Sequence, residues 1–153
     1  MNVIWMYLNK KDAAVNALKD YGKMKHIIDH TEEEIQRVYS RIAGVGSPAI
    51  EKMPSANNPQ AGEDRMIKGI EEIDVLRERL RQAKEYMAWF QPAWDALSDD
   101  DQFVLDAFFS GGNEYGACAA DTVAEHFCIE RASAYRKKNR ALDNLTTLLY
   151  GRW

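Results

Sequence analysis

The sequence has few cysteines and no long apolar run. Its 153 residues include only Cys118 and Cys128, too few for a disulfide-stabilised framework and typical of a reducing compartment. No stretch approaches the ~18 apolar residues that a membrane helix requires. The first eight residues also lack the basic start of a signal peptide. These absences predict a cytoplasmic protein that has no membrane partner.

Alternating β-branched patterns are scarce too, whereas Leu, Ala, Glu, Lys, Arg and Met are plentiful. This composition favours an all-α fold with a core that needs no metal. The sequence shows no Ser/His/Asp set, no Gly-rich phosphate loop and no paired carboxylates, so we expect no enzymatic activity and no cofactor. Cys118, His126 and Cys128 lack the paired short spacing of zinc ligands. We therefore predict buried structural cysteines rather than a metal site.

Two long amphipathic segments make up most of the first ninety residues. Apolar residues recur at steps of three and four from about Lys11 to Ala43 and again from about Asp64 to Phe90. Such seams are typical of helices that pack at a shallow angle, as in a coiled coil. Residues 44–62, between the two segments, are rich in Gly and Pro and predict a flexible linker. The simplest arrangement is an antiparallel helical hairpin over residues 1–92.

The ends and interruptions of these helices can also be predicted. Thr31 is the one polar residue on the first seam and resembles the start of a capping box, so we expect one long helix that can kink near His30. Pro92 is expected to end the second helix, because the residue before a proline avoids the α region. A second domain would then span residues 93–153, with Ser98 as the N-cap of its first helix.

A short helix, a tight turn and a longer basic helix are predicted in this second domain. Asp121 would cap the short helix, residues 128–129 would form the turn, and the basic helix would run over about residues 130–149. Five cations and no acid lie between Arg131 and Arg140. This order of elements is the helix-turn-helix layout, in which the second helix enters the DNA major groove.

The run from Leu97 to Leu149 resembles region four of bacterial sigma factors and the C-terminal part of phage transcriptional regulators of the ArpU/RinA type. The resemblance is carried by Leu97, Phe103-Val104-Leu105, Val123-Ala124-Glu125, Phe127, Ile129, Tyr135-Arg136 and Ala141-Leu142. It implies a helix-turn-helix module that reads promoter DNA. Two positions differ from the family pattern: Cys128 replaces the usual turn glycine, and Glu130 replaces the usual Ser or Thr cap. If the turn requires a positive φ, Cys128 adopts it at a cost.

These observations predict a sequence-specific transcription regulator, of phage or mobile-element genes, with a defined set of DNA contacts. Arg136, Lys137 and Arg140 are expected to bind phosphates. Near the start of the recognition helix, Arg131 is expected to bind guanine through two hydrogen bonds. Ala134 should face the core of the module. The predicted DNA-binding set is Arg131, Ala132, Ser133, Tyr135, Arg136, Lys137 and Arg140.

The net charge of −4 argues against indiscriminate binding of polyanions, so we expect a narrow contact with double-stranded DNA. A monomer with few phosphate contacts would bind weakly, which favours a homodimer formed through the hairpin or the C-terminal apolar surface. That surface consists of Leu145, Leu148, Leu149, Tyr150 and Trp153. Two other interpretations stay open: a protein-interaction module that binds RNA polymerase or another protein, and a nucleic-acid enzyme or packaging component, such as a small terminase-like subunit.

Overall fold

The computed structural model describes residues 8–44, 59–110 and 116–151. Within these ranges the chain forms five α-helices: α1 (Lys10–Ile42), α2 (Pro59–Asp95), α3 (Asp99–Leu105), α4 (Gly116–Phe127) and α5 (Arg131–Tyr150). A π-helical segment, Asp106–Ser110, continues α3. No strand occurs within these ranges, and the predicted all-α class is confirmed. None of the helices described is long and apolar enough to span a membrane.

The helices divide into two compact units. Unit 1 combines Met1–Lys23 with Tyr86–Trp153, and unit 2 is Met24–Glu85. Both α1 and α2 therefore contribute to each unit, and the boundary predicted at residue 92 falls inside α2. Of the predicted linker, residues 45–58 lie outside the described ranges, and residues 59–62 already belong to α2.

Unit 1 is built around buried side chains from all five helices. Phe90 of α2 is 0% exposed, and its ring centre lies 5.4 Å from that of Tyr21 and 5.3 Å from that of Tyr86. The hydroxyl of Tyr86 donates to the carbonyl of Ala17, and burial raises the pKa of this phenol. Tyr21 donates to Oε1 of Gln91 at 2.9 Å. These contacts join the first turns of α1 to the end of α2.

Unit 2 is an antiparallel pair formed by the second half of α1 and the first part of α2. Arg41 binds Glu72 at 2.8 Å, and Tyr39 accepts a hydrogen bond from Arg77 at 2.9 Å. Tyr39 precedes Arg41 on α1, whereas its partner Arg77 follows Glu72 on α2. The two segments therefore run in opposite directions. The core between them contains Ile35, Val38, Ile73 and Leu76, which all belong to helical three-and-four patterns.

Thr31 does not interrupt α1, which runs as one helix from Lys10 to Ile42. The side chain is only 2% exposed. Its hydroxyl donates to the carbonyl of Ile27, one turn earlier, so the buried oxygen has a partner within the same helix. A threonine can thus occupy an otherwise apolar seam without breaking the helix.

The predicted helix ends around residue 92 are partly wrong. The helix α2 does not end before Pro92 but continues to Asp95. Pro92 lies in the last turn, where its missing N–H removes a single helical hydrogen bond, and its carbonyl still accepts from the Ala96 N–H at 3.1 Å. Ser98 is the N-cap of α3, as predicted, because its Oγ accepts from the N–H of Asp101 at 3.2 Å.

Two helical glycines should respond in opposite ways to the same substitution. A Cβ at Gly22 of α1 would meet nothing within 4 Å, whereas a Cβ at Gly69 of α2 would overlap the side chain of Ile42. We expect Gly22→Ala to raise the free energy of unfolding by about 1 kcal/mol and Gly69→Ala to lower it by about 1–3 kcal/mol. Urea unfolding followed by circular dichroism would measure both. An equal increase in the free energy of unfolding for both variants would contradict the close approach of Gly69 to Ile42.

Candidate functional site

The helix α4 begins at Gly116, upstream of the predicted start. The N-cap role predicted for Asp121 is therefore wrong, because this residue lies inside the helix. Ala119, Ala120 and Val123 are all buried, and their packing stabilises helical turns on both sides of the aspartate. The Asp121 carboxylate is exposed and is not used to cap the helix.

Three residues, Cys128 to Glu130, connect α4 to α5. Cys128 has a φ of 53°, and it is the one non-glycine residue with a positive φ in the described part of the chain. Its N–H donates to the Glu125 carbonyl at 3.3 Å, and the N–H of Ile129 donates to the Ala124 carbonyl at 2.9 Å. This pair of bonds is the Schellman arrangement, which closes a helix with a left-handed residue. The turn therefore does require the conformation that glycine adopts most easily.

Both cysteines are exposed, so the prediction that they are buried is wrong. Cys118 lies on the outer side of α4, opposite the buried alanines, and Cys128 projects from the turn. Burial along α4 is decided by the face of the helix that meets the core rather than by the apolar character of a thiol. Among the residues described, no group of three His, Cys, Asp or Glu side chains could hold a metal ion.

Replacement of Cys128 tests the cost of the turn. The left-handed conformation costs a non-glycine residue roughly 1–2 kcal/mol, while glycine loses roughly 0.5–1 kcal/mol more conformational entropy on folding. We expect Cys128→Gly to raise the free energy of unfolding by roughly 0.5–1 kcal/mol. Cys128→Ala keeps the backbone strain and removes the thiol, so it should leave the free energy of unfolding nearly unchanged. Equal stabilisation by both variants, measured in urea, would rule out backbone strain as the cause.

The helix α5 has one buried side and one open side. Its buried residues are Ala134, Ala141, Leu142 and Leu145, and the predicted inward position of Ala134 is confirmed. With about 3.6 residues per turn, the opposite side presents exposed residues that include two arginines one turn apart. The exposed residues of this open side are Ala132, Arg136, Asn139, Arg140 and Asp143. Asn139 was not among the predicted contacts, although helical spacing from Ala132 and Arg136 places it on their side.

The remaining predicted DNA contacts lie at the edges of this open side, and three of them contact residues outside α5. Nε of Arg131 lies 3.7 Å from Oδ1 of Asp121. The ammonium of Lys137 lies 4.3 Å from the centre of the Phe127 ring. Tyr135 is half-buried, and its ring centre lies 5.7 Å from that of Phe108 in the π-helical segment. Ser133 is also half-buried.

The charges of α5 leave its open side positive. The helix carries five cations and one acid, Asp143. That acid binds Lys11 of α1 at 2.9 Å within unit 1. Arg136 and Arg140 form no ion pair with any residue that the structure describes. Two exposed guanidinium groups, one helical turn apart, are therefore available to an anionic ligand.

Comparison of the chain with protein-family models, with curated proteins and with solved structures found no significant match.

Proposed function

We propose that this protein is a sequence-specific DNA-binding transcription regulator of phage or mobile-element genes. In this proposal α4, the three-residue turn and α5 form a helix-turn-helix, and α5 enters the major groove. The observation that carries it is the open side of α5, where Arg136 and Arg140 have no acidic partner in the described chain and Asp143 is paired with Lys11. The resemblance to sigma region four supports the same assignment.

The side chains on the open side of α5 and at its edges suit base edges as well as phosphates. Ala132 has no atom beyond Cβ, so the start of the helix can come close to the bases. Arg131 and Arg136 can each donate two parallel hydrogen bonds to guanine, and Asn139 can donate to and accept from adenine. Arg140, further along the helix, is suited to the DNA backbone. Recognition would thus combine a few base contacts with a small number of phosphate contacts.

Enrichment of bound duplexes from a random-sequence library tests this proposal directly. We expect the full-length protein to enrich a common sequence. Its affinity should fall with salt along a shallow slope of about −2 to −4 in log K against log salt, because few phosphates are neutralised. Fluorescence anisotropy at several salt concentrations would measure the slope. If no sequence is enriched at low salt, the protein is not a sequence-specific DNA-binding protein.

A homodimer is part of the proposal, because one protomer offers few phosphate contacts and paired half-sites would supply the missing affinity. Among the described residues, the apolar C-terminal surface predicted as one possible dimer contact is only partly exposed. Leu145 is buried, Leu149 and Tyr150 are half-buried, Leu148 is exposed, and Trp153 lies outside the described residues. Sedimentation velocity should show a dimer at tens of micromolar. A monomer throughout that range would contradict this part.

A second candidate function is binding of RNA polymerase or another protein. It is favoured by three apolar side chains of α2 in unit 2, Met66, Ile67 and Ile70, which are 52%, 53% and 49% exposed. Neighbouring exposed apolar residues often mark protein contacts. Under this alternative, Ile67→Glu combined with Ile70→Glu would abolish binding to purified RNA polymerase, while the enriched duplex would still bind. Unchanged polymerase binding would remove this candidate.

A further inference from the structure

Asp121 of α4 lies beside Arg131, the first residue of α5, although ten positions separate them in sequence. Oδ1 of the aspartate is 3.7 Å from Nε of the arginine, and both side chains are more than half exposed. The helix dipole disfavours a cation in the first turn of a helix. The position of Arg131 is therefore unfavourable for α5 itself. Among the described residues, the Asp121 carboxylate is the one acidic group within ion-pair distance of Arg131.

We propose that Asp121 is a positioning residue that determines specificity by orienting Arg131 toward a guanine. The proposal rests on the DNA-binding function proposed above. A guanidinium carries five N–H donors in a planar fork. If the Asp121 carboxylate lies against the Nε side of the Arg131 guanidinium, the two terminal nitrogens of that group remain available. They can then donate two parallel hydrogen bonds to O6 and N7 of guanine.

The charge of Asp121 adds a second effect on specificity. A carboxylate beside Arg131 repels phosphates, and it therefore penalises binding modes in which Arg131 turns to the DNA backbone. Such repulsion acts mainly against wrong sites, where no guanine compensates for it. Without Asp121, Arg131 is free to bind a phosphate, so non-cognate binding should strengthen. The salt slope of non-cognate binding should then steepen by about 0.9, the contribution of one phosphate.

The first experiment uses the full-length protein without DNA. In nitrogen-15 NMR spectra, the Nε–H of Arg131 should exchange with water more slowly than the Nε–H of Arg136, which has no partner in the described chain. Asp121→Asn should remove the difference. Glu125→Gln should leave it unchanged, because it makes the same charge change one turn further along α4 without touching Arg131. Equal exchange of both arginines in the unsubstituted protein overturns the positioning role, whatever the DNA result.

The second experiment measures binding to the enriched duplex and to a shuffled duplex of the same composition. Asp121→Asn should lower the ratio of the two affinities about tenfold. Glu125→Gln should strengthen binding to both duplexes equally and leave the ratio unchanged. In an Arg131→Gln background, Asp121→Asn should have no further effect on the ratio, because the two residues act as one unit. Circular dichroism would show that all variants are folded.

These experiments distinguish failure of the proposed function from failure of the role of Asp121 alone. If the unsubstituted protein enriches no sequence, the proposed function fails, and the specificity role of Asp121 fails with it. If it enriches a sequence and Asp121→Asn keeps the full affinity ratio, only the role of Asp121 is overturned. A loss of specificity in Glu125→Gln as large as that in Asp121→Asn would assign the effect to net charge and would also overturn it.

Discussion

Phe90→Ala should lower the free energy of unfolding by about 3–5 kcal/mol, since a large, fully buried aromatic side chain leaves a cavity that neighbouring residues fill only in part. Phe90 is 0% exposed, and its ring lies within 6.1 Å, centre to centre, of Tyr21, Tyr86 and Trp94. This loss is a large fraction of the total stability of a typical domain, which is about 5–15 kcal/mol.

Urea unfolding, followed by both circular dichroism and tryptophan fluorescence, would measure this loss. The matched control is Val75→Ala, which shortens an exposed apolar side chain of the same helix and should change the stability by no more than about 0.5 kcal/mol. Comparable losses in the two variants would contradict the central place of Phe90 in unit 1. Because Phe90 also contacts Tyr21, the first turns of α1 should unfold together with the C-terminal helices.

The double substitution of Arg136 and Arg140 by alanine should have the largest effect on DNA binding. Two charge-assisted contacts, each worth about 1.5 kcal/mol, correspond to a roughly 100-fold loss of affinity for the enriched duplex. If both arginines bind phosphates, the salt slope should also become shallower by about two. If Arg136 reads a base instead, the slope should change by about one and the sequence preference should weaken.

The control is a second double variant with the same loss of charge. Arg79 and Lys84 are exposed on α2 and form no ion pair within the described residues. Arg79→Ala combined with Lys84→Ala should change affinity little at physiological salt, where charges that do not touch the DNA are screened beyond about 8 Å. An equal loss of affinity in the two double variants would show a general charge effect and would argue against α5 as the DNA-contacting helix.

The fold class and several local features of the molecule follow from the sequence alone. The three-and-four spacing of apolar residues predicts the long helices, and the buried positions Ile35, Val38 and Ile73 lie on those seams. The inward position of Ala134 follows from the same periodicity. The positive φ of Cys128 also has a local origin, because the hydrogen bonds that close a helix require one left-handed residue. Each of these properties depends on residues within a few turns of one another.

The tertiary structure decided the features that depend on distant partners. Burial of neighbouring alanines extends α4 upstream of Asp121, and packing of α2 carries that helix through Pro92. Unit 1 joins Met1–Lys23 to Tyr86–Trp153, because side chains around Phe90 bury surface that neither segment could cover by itself. The contact of Asp121 with Arg131 likewise appears only when the turn brings α4 and α5 together. Periodicity shows which side of a helix is apolar, but only the packed chain determines what that side meets.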